Sequence, residues 1–247
     1  MNRWLQSLGL MKNNYNNKVI PAGAGIILVL ISIFGWSFYL YNDIGNSRII
    51  EKLIFLSLII GLTGLLDDMV GENENKGLKG HFTSFLQGNL TTGSVKVIIF
   101  ILSIFLVIIS EKSSYYAIII NSLLILFTTN IYNLFDLRPG RVIKVFLISS
   151  IFLYYIFNIF TYFFLLYLVL LPYFYLELKE KFMLGDAGSN FLGVITGYGL
   201  SRWNNLQGKL YLVLILFLLT ILSEKYSFTR YIEKNPILNW VDQLGRK

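Results

Sequence analysis

From Pro21 onward the chain runs in long apolar stretches separated by short polar breaks. It shows neither the strict alternation of half-buried strands nor the narrow apolar stripe of a surface helix. About 20 mostly apolar residues carry a helix across a bilayer, and fewer suffice when its ends are anchored. By that measure residues 22–41, 49–66, 95–110, 115–134, 142–157, 159–176, 189–203 and 209–223 predict spanning helices. The stretch 142–176 is too long for one span and carries only Lys144 as a charge, so it divides at Asn158 into a tight hairpin. The pattern therefore predicts an all-α, polytopic membrane protein of about eight transmembrane helices. Residues 1–20 form an N-terminal segment, 21–223 the bundle and 224–247 a polar tail. In that tail Ile237, Trp240, Val241 and Leu244 suggest an amphipathic helix at the membrane interface.

Composition agrees. The 247 residues are 55% hydrophobic and 14% charged, where soluble domains are nearer one-quarter charged. Cysteine is absent, which excludes disulfides and thiolate metal sites. The net charge of +7 would suit nucleic acid in a soluble protein. In a membrane protein basic residues mark cytoplasmic loops, and no nucleic-acid partner is expected. The first eighteen residues are polar and basic, and the apolar run that follows is long enough to span, unlike a cleavable signal peptide.

Charge also orients the bundle. With the N-terminus in the cytoplasm, sixteen lysines and arginines fall inside and five outside (Arg48, Lys52, Lys112, Arg202 and Lys209), so both termini are expected inside. Three polar stretches then share the cytoplasmic face: "LLDDMVGENENKGLKGHF", "NIYNLFDLRPGR" and "FMLGDAGSN".

Asp67 and Asp68 close the second span. Adjacent helical residues point about 100° apart, so both face one cavity only near its rim. Paired carboxylates bind Mg²⁺, or one acts as a base that the other orients. A solvated helix end is the plainer alternative, although the macrodipole disfavours two carboxylates at a helix C-terminus. Asn130, Asn133 and Asp136 recur every third residue, which places them roughly on one helical face. Against lipid such a polar stripe is costly, so it should face protein or a water-filled cavity. Arg138 and Arg141 bracket the Pro139-Gly140 turn and could grip phosphate oxygens, or simply follow the charge rule for inside loops. Gly185-Asp186-Ala187-Gly188-Ser189 precedes the seventh span; it could bring backbone close to a ligand, or Asp186 or Ser189 could cap the helix. Gly193, Gly197 and Gly199 read as close helix packing. Lys76 and Lys79 could neutralise a diphosphate, and His81, the single histidine, is a weaker candidate of the same loop. Carboxylates for a divalent cation beside basic groups for phosphates are the parts phosphoryl transfer needs.

In order along the chain, "IPAGAG", "GLLDDMVG", "NKGL", "NIYNLFD" and "MLGDAGSNFLG" resemble the motifs of the bacterial polyprenyl-phosphate N-acetylhexosamine-1-phosphate transferases, glycosyltransferase family 4. The likeness covers most of residues 20–200. It implies a multi-pass protein of the bacterial plasma membrane, its active site facing the cytoplasm, with polyprenyl phosphate and a UDP-sugar as partners. A lipid phosphate oxygen would attack the β-phosphorus of the UDP-sugar, giving lipid-diphosphate-sugar and UMP. Asp186 would ligate Mg²⁺, with Mn²⁺ as an alternative ion. Asp67 would be base or lipid-phosphate positioner with Asp68 beside it, and Asp136, Asn133 and Lys76 would complete the site around the diphosphate. A homodimer is compatible with the likeness. Three departures stand out: an N-terminal span replaced by "MNRWLQSLGLM", "DLRPGR" where many members have a second aspartate, and a missing histidine-rich loop. They keep open a second reading, a degenerate member that binds lipid phosphate or an envelope partner. A transporter is the third, least supported because the polar residues gather on one face.

Overall fold

The computed structural model describes residues 6–70, 92–111, 113–157 and 160–246. Helices form over all eight predicted stretches: α1 (Ile26–Tyr41), α2 (Ser47–Val70), α3 (Thr92–Ile109), α4 (Tyr115–Phe135), α5 (Arg141–Phe157), α6 (Phe160–Leu178), α7 (Gly185–Ser201) and α8 (Leu206–Lys225). Two short helices follow in the tail, α9 (Phe228–Lys234) and α10 (Pro236–Gln243). Among the described residues four helices are long and apolar enough to cross a membrane: Ser47–Met69, Tyr115–Phe135, Thr161–Leu178 and Leu206–Lys225. Ile26–Tyr41 and Ile98–Ile109 are shorter apolar helices. Phe34, Leu106, Ile148 and Leu218 are exposed on the outer faces, as in helices whose surroundings are as apolar as their core.

The seventh helix differs from the rest. Thirteen of its 17 residues are buried by protein, because α2, α4, α5 and α1 all pack against it. Its glycines permit this. A Cβ on Gly193 would lie 2.6 Å from the Thr129 Cα of α4, and one on Gly197 would lie 2.7 Å from the Ile125 Cα. The helix also starts four residues earlier than the apolar pattern suggested, at Gly185 instead of 189. At its far end a polar network anchors it. Glu111 takes Lys52 at 3.0 Å, Arg202 at 3.0 Å and the Tyr198 hydroxyl at 3.2 Å, while Lys209 donates to Asn121 at 2.7 Å and to the Ser201 carbonyl at 3.1 Å.

The all-α expectation has one exception, a two-stranded antiparallel ribbon near the N-terminus. Strand β1 (Met11–Asn13) pairs with β2 (Val19–Pro21), with Lys12 opposite Ile20. Asparagine chemistry makes the turn: the Asn14 Oδ1 accepts the Asn16 and Lys18 amides, each at 2.9 Å, and Asn17 takes φ 58°. The ribbon then joins the bundle. Met183 N–H donates to the Pro21 carbonyl at 2.8 Å, and Gly25 N–H donates to the Leu184 carbonyl at 3.0 Å. Its turn reaches Glu180, which accepts from Asn14 at 3.1 Å and from Tyr15 at 2.9 Å.

Candidate active site

Three of the polar stretches meet at the N-terminus of α7. Its N-cap position, Leu184, offers no side-chain acceptor, so neither Asp186 nor Ser189 caps the helix. The acceptor comes from another helix. Asp68, 3% exposed, receives the Asp186 amide at 3.0 Å and the Ala187 amide at 3.1 Å. This resolves the awkward position of a carboxylate at the end of α2. The negative end of its own helix dipole is offset by the positive end of α7, whose first-turn N–H groups it satisfies. The arrangement needs small residues. Gly185 has φ +68°, and a Cβ there would sit 2.6 Å from the Asp68 Oδ2 and 2.6 Å from the Gly23 nitrogen. A Cβ on Gly64 of α2 would meet the Ala187 Cα at 2.5 Å. The glycines of this segment therefore serve helix-to-helix approach and the entry into α7.

Two more carboxylates complete the ring. Asp136, one residue past the end of α4, faces the Gly185 N–H, and Glu177 on α6 faces the N–H groups of Leu184 and Gly140. Successive amides from Leu184 to Ala187 are thus each turned to an acid. Burial, together with the negative charges of Glu177, Asp186 and Asp68, pushes Asp136 well above the usual carboxylate range. Asp186 itself is half-buried, and its Oδ1 accepts the Asn133 amide at 2.9 Å; the same amide reaches the Asn190 Oδ1 at 3.2 Å. Asp67 is half-buried beside Asp68.

Not every predicted site residue joins this group. Asn130 donates to the Thr220 hydroxyl of α8 at 3.3 Å, so it ties two helices together and does not bond the carboxylates. Arg141 is buried, with Nε and Nη2 on Asp242 at 2.8 and 2.9 Å and Nη1 on Thr229 at 2.9 Å. Arg138 pairs with Glu233 at 2.7 Å and lies over the Tyr15 ring at 4.4 Å. Both arginines offered for phosphate are thus engaged by the C-terminal tail or the ribbon turn. Arg246 adds a second pairing to Asp242 and donates to the Pro139 carbonyl at 2.8 Å. Burial alone would raise the Asp242 carboxyl, but the Arg141 and Arg246 guanidiniums bring it down to about 2. Lys76, Lys79 and His81 lie outside the described residues.

Two residues near the carboxylates were not singled out from the sequence. Lys12 of β1 lies close enough to Asp68 for the two charges to interact. Nothing in the chain pattern pointed to it, because only the ribbon carries it to the end of α2. Glu177 had a signal: it is an acid at the end of an apolar run, where a charge is costly unless it has a function.

The residues fit a divalent cation. Among the described residues no three acids form a closed cage. Mg²⁺, however, is usually held by one or two carboxylates, waters and substrate phosphates. Glu177 Oε2 is buried beside Asp136 with no hydrogen-bond partner among the described residues, so a buried oxygen is left with lone pairs that a cation would satisfy. Asp186 and Asp136 are the residues that would hold the ion.

Compared with known families, the chain matches the model described as glycosyl transferase family 4 over residues 50–204, more than half its length. No curated protein and no solved structure matches it.

Proposed function

Since the chain belongs to glycosyl transferase family 4, a family of phospho-sugar transferases, we propose that it moves a sugar-1-phosphate from a UDP-sugar to a polyprenyl phosphate. The sugar is of N-acetylhexosamine type, and the lipid product feeds cell-envelope glycan synthesis at the cytoplasmic face of a bacterial plasma membrane. An oxygen of the lipid phosphate forms the new bond to the β-phosphorus. The bond from that phosphorus to the oxygen bridging it to the α-phosphate breaks, and the electron pair leaves with UMP.

The observation that carries this reading is the fixed position of Asp186. Two amides of its own helix turn are held by Asp68, and its side chain is held by Asn133. A carboxylate oriented from both sides costs little reorganisation when charge develops next to it. Asp186 and Asp136 would hold Mg²⁺, which when bound would supply positive charge to phosphate oxygens. Asp67, at the rim, accepts a proton from or orients the lipid phosphate, and Lys12 offers positive charge to the diphosphate. The site lies at a helix end, where a lipid headgroup and a water-soluble nucleotide can meet.

Purified protein with undecaprenyl phosphate, Mg²⁺ and a panel of UDP-N-acetylhexosamines tests the proposal. UMP release that requires lipid, metal and Asp186, and is lost in Asp186→Asn, is the expected result. Absence of UMP across the panel, from folded protein that still binds the lipid, favours the degenerate lipid-binding reading instead.

A further inference from the structure

At the opposite end of α2 a second site is built from residues that the transfer reaction does not use. A cavity of about 510 Å³ opens between α2 and α3, lined by Arg48, Glu51, Lys52 and Ser110 on its polar side and by Phe55, Leu106 and Val107 below them. That size is in the range of small-molecule pockets. Arg48 and Asp68 stand on one helix with a rise of 1.5 Å per residue, so about 30 Å separates them. This is the thickness of a bilayer's hydrocarbon core. If the carboxylates sit at one membrane surface, the cavity's charged rim sits at headgroup level in the other leaflet.

The charges are not equivalent. Lys52 is committed to Glu111 at 3.0 Å, and Glu111 is further held by Arg202. Arg48 and Glu51 are exposed and make no hydrogen bond or ion pair among the described residues. Among the described residues, then, one guanidinium and one carboxylate on the rim are uncommitted. Directly below, Phe55 and Leu106 are 40% and 59% exposed and present apolar surface along the helix axis. A ligand that satisfies all of this carries an anion, a cation and an acyl chain.

The geometry points to a binding site for a zwitterionic aminophospholipid. Its phosphate meets Arg48, its ammonium meets Glu51, and one chain lies on Phe55, Leu106 and Val107. Guanidinium and phosphate match as forked donors and acceptors, and burying a chain against these side chains supplies the apolar part. A free phosphate compound would leave that apolar floor bare. The site is independent of the transferase chemistry, since none of its residues touches the carboxylate ring.

Binding of defined lipids to the full-length protein, delipidated in detergent and followed by native mass spectrometry, tests this. The panel is phosphatidylethanolamine, phosphatidylglycerol, diacylglycerol and glycerophosphoethanolamine. The expected result is that phosphatidylethanolamine binds at least about tenfold more tightly than diacylglycerol, the value of one charge-assisted contact. Arg48→Ala should abolish that difference, and Glu51→Gln should remove the preference over phosphatidylglycerol while leaving the phosphate-dependent part. Glycerophosphoethanolamine, the headgroup without chains, should fail to compete. Equal binding of diacylglycerol, or unchanged phosphatidylethanolamine binding in Arg48→Ala, overturns the proposal. Arg48 is exposed near the start of its helix, so the variant keeps its fold, and its thermal transition should match the wild type.

Discussion

Replacing Asp68 separates a residue that holds the site from one that does the chemistry. Its carboxylate accepts two first-turn amides of α7, at 3.0 and 3.1 Å, from a position only 3% exposed. Hydrogen bonds to a charged group contribute about 1.5–3 kcal/mol each. Asp68→Ala leaves both amides orphaned and should cost about 3–5 kcal/mol. Asp68→Asn keeps one acceptor but turns an NH₂ group toward an N–H donor, which should cost about 2–3 kcal/mol. For a chain of this length 1 kcal/mol moves the melting temperature by about 2–4 °C. The asparagine variant should therefore melt about 4–12 °C below wild type in detergent, and the alanine variant lower still. Asp67→Asn changes a half-buried residue beside it and should melt within about 3 °C of wild type, while losing UMP release. Fluorescence-monitored melting of the three variants alongside turnover decides the matter. If Asp68→Asn melts with the wild type, the trans-capping argument is refuted.

Three further outcomes follow from the same geometry. Gly185→Ala forces a side chain into a left-handed backbone and places its Cβ 2.6 Å from the Asp68 Oδ2, so it should cost about 2 kcal/mol or more and reduce turnover, as melting and UMP assays will show. If Lys12 offers its charge to the diphosphate as proposed, Lys12→Met should raise the KM for the UDP-sugar more than it lowers kcat, in steady-state kinetics at fixed lipid. Asp242 has a folded pKa of about 2, below its ordinary value near 3.9, so the clasp it makes with Arg141 and Arg246 is fully present above about pH 4 and is lost as pH falls through 2. Two units correspond to about 2.5 kcal/mol, and solvent screening brings this to about 1–2 kcal/mol. Protease cleavage of the tail should stay constant from pH 5 to 8 in the wild type. Asp242→Ala, which leaves the buried Arg141 unpaired, should speed it at every pH in that range.

The helices and their order were legible because hydrophobicity is a local property of the chain. Residues such as 49–66 and 115–134 are apolar for longer than any soluble helix face requires, and helices formed there. The glycines 193 and 197 were legible as packing positions for the same reason, since a small residue every fourth position marks one helix face. The acids were legible as a group, and Asp68, Asp136 and Asp186 do converge on the start of α7.

The division of labour within that group was decided only by the tertiary structure. Asp67 and Asp68 are chemically identical neighbours, and what distinguishes them is that the positive end of α7 lies against one of them. Asn130 and Asn133 are likewise alike in sequence, yet one faces α8 and the other faces Asp186. Arg141 looked suited to phosphate until Asp242, a hundred residues away, supplied a fixed partner for its fork. Lys12 had no periodic pattern to reveal it, because a ribbon held by an asparagine turn brings it to the site. Hydrophobic periodicity reports what a residue avoids, which a linear sequence displays. The partner of a charged group depends on which chain ends the packing brings within about 3 Å, and that is known only once the helices are assembled.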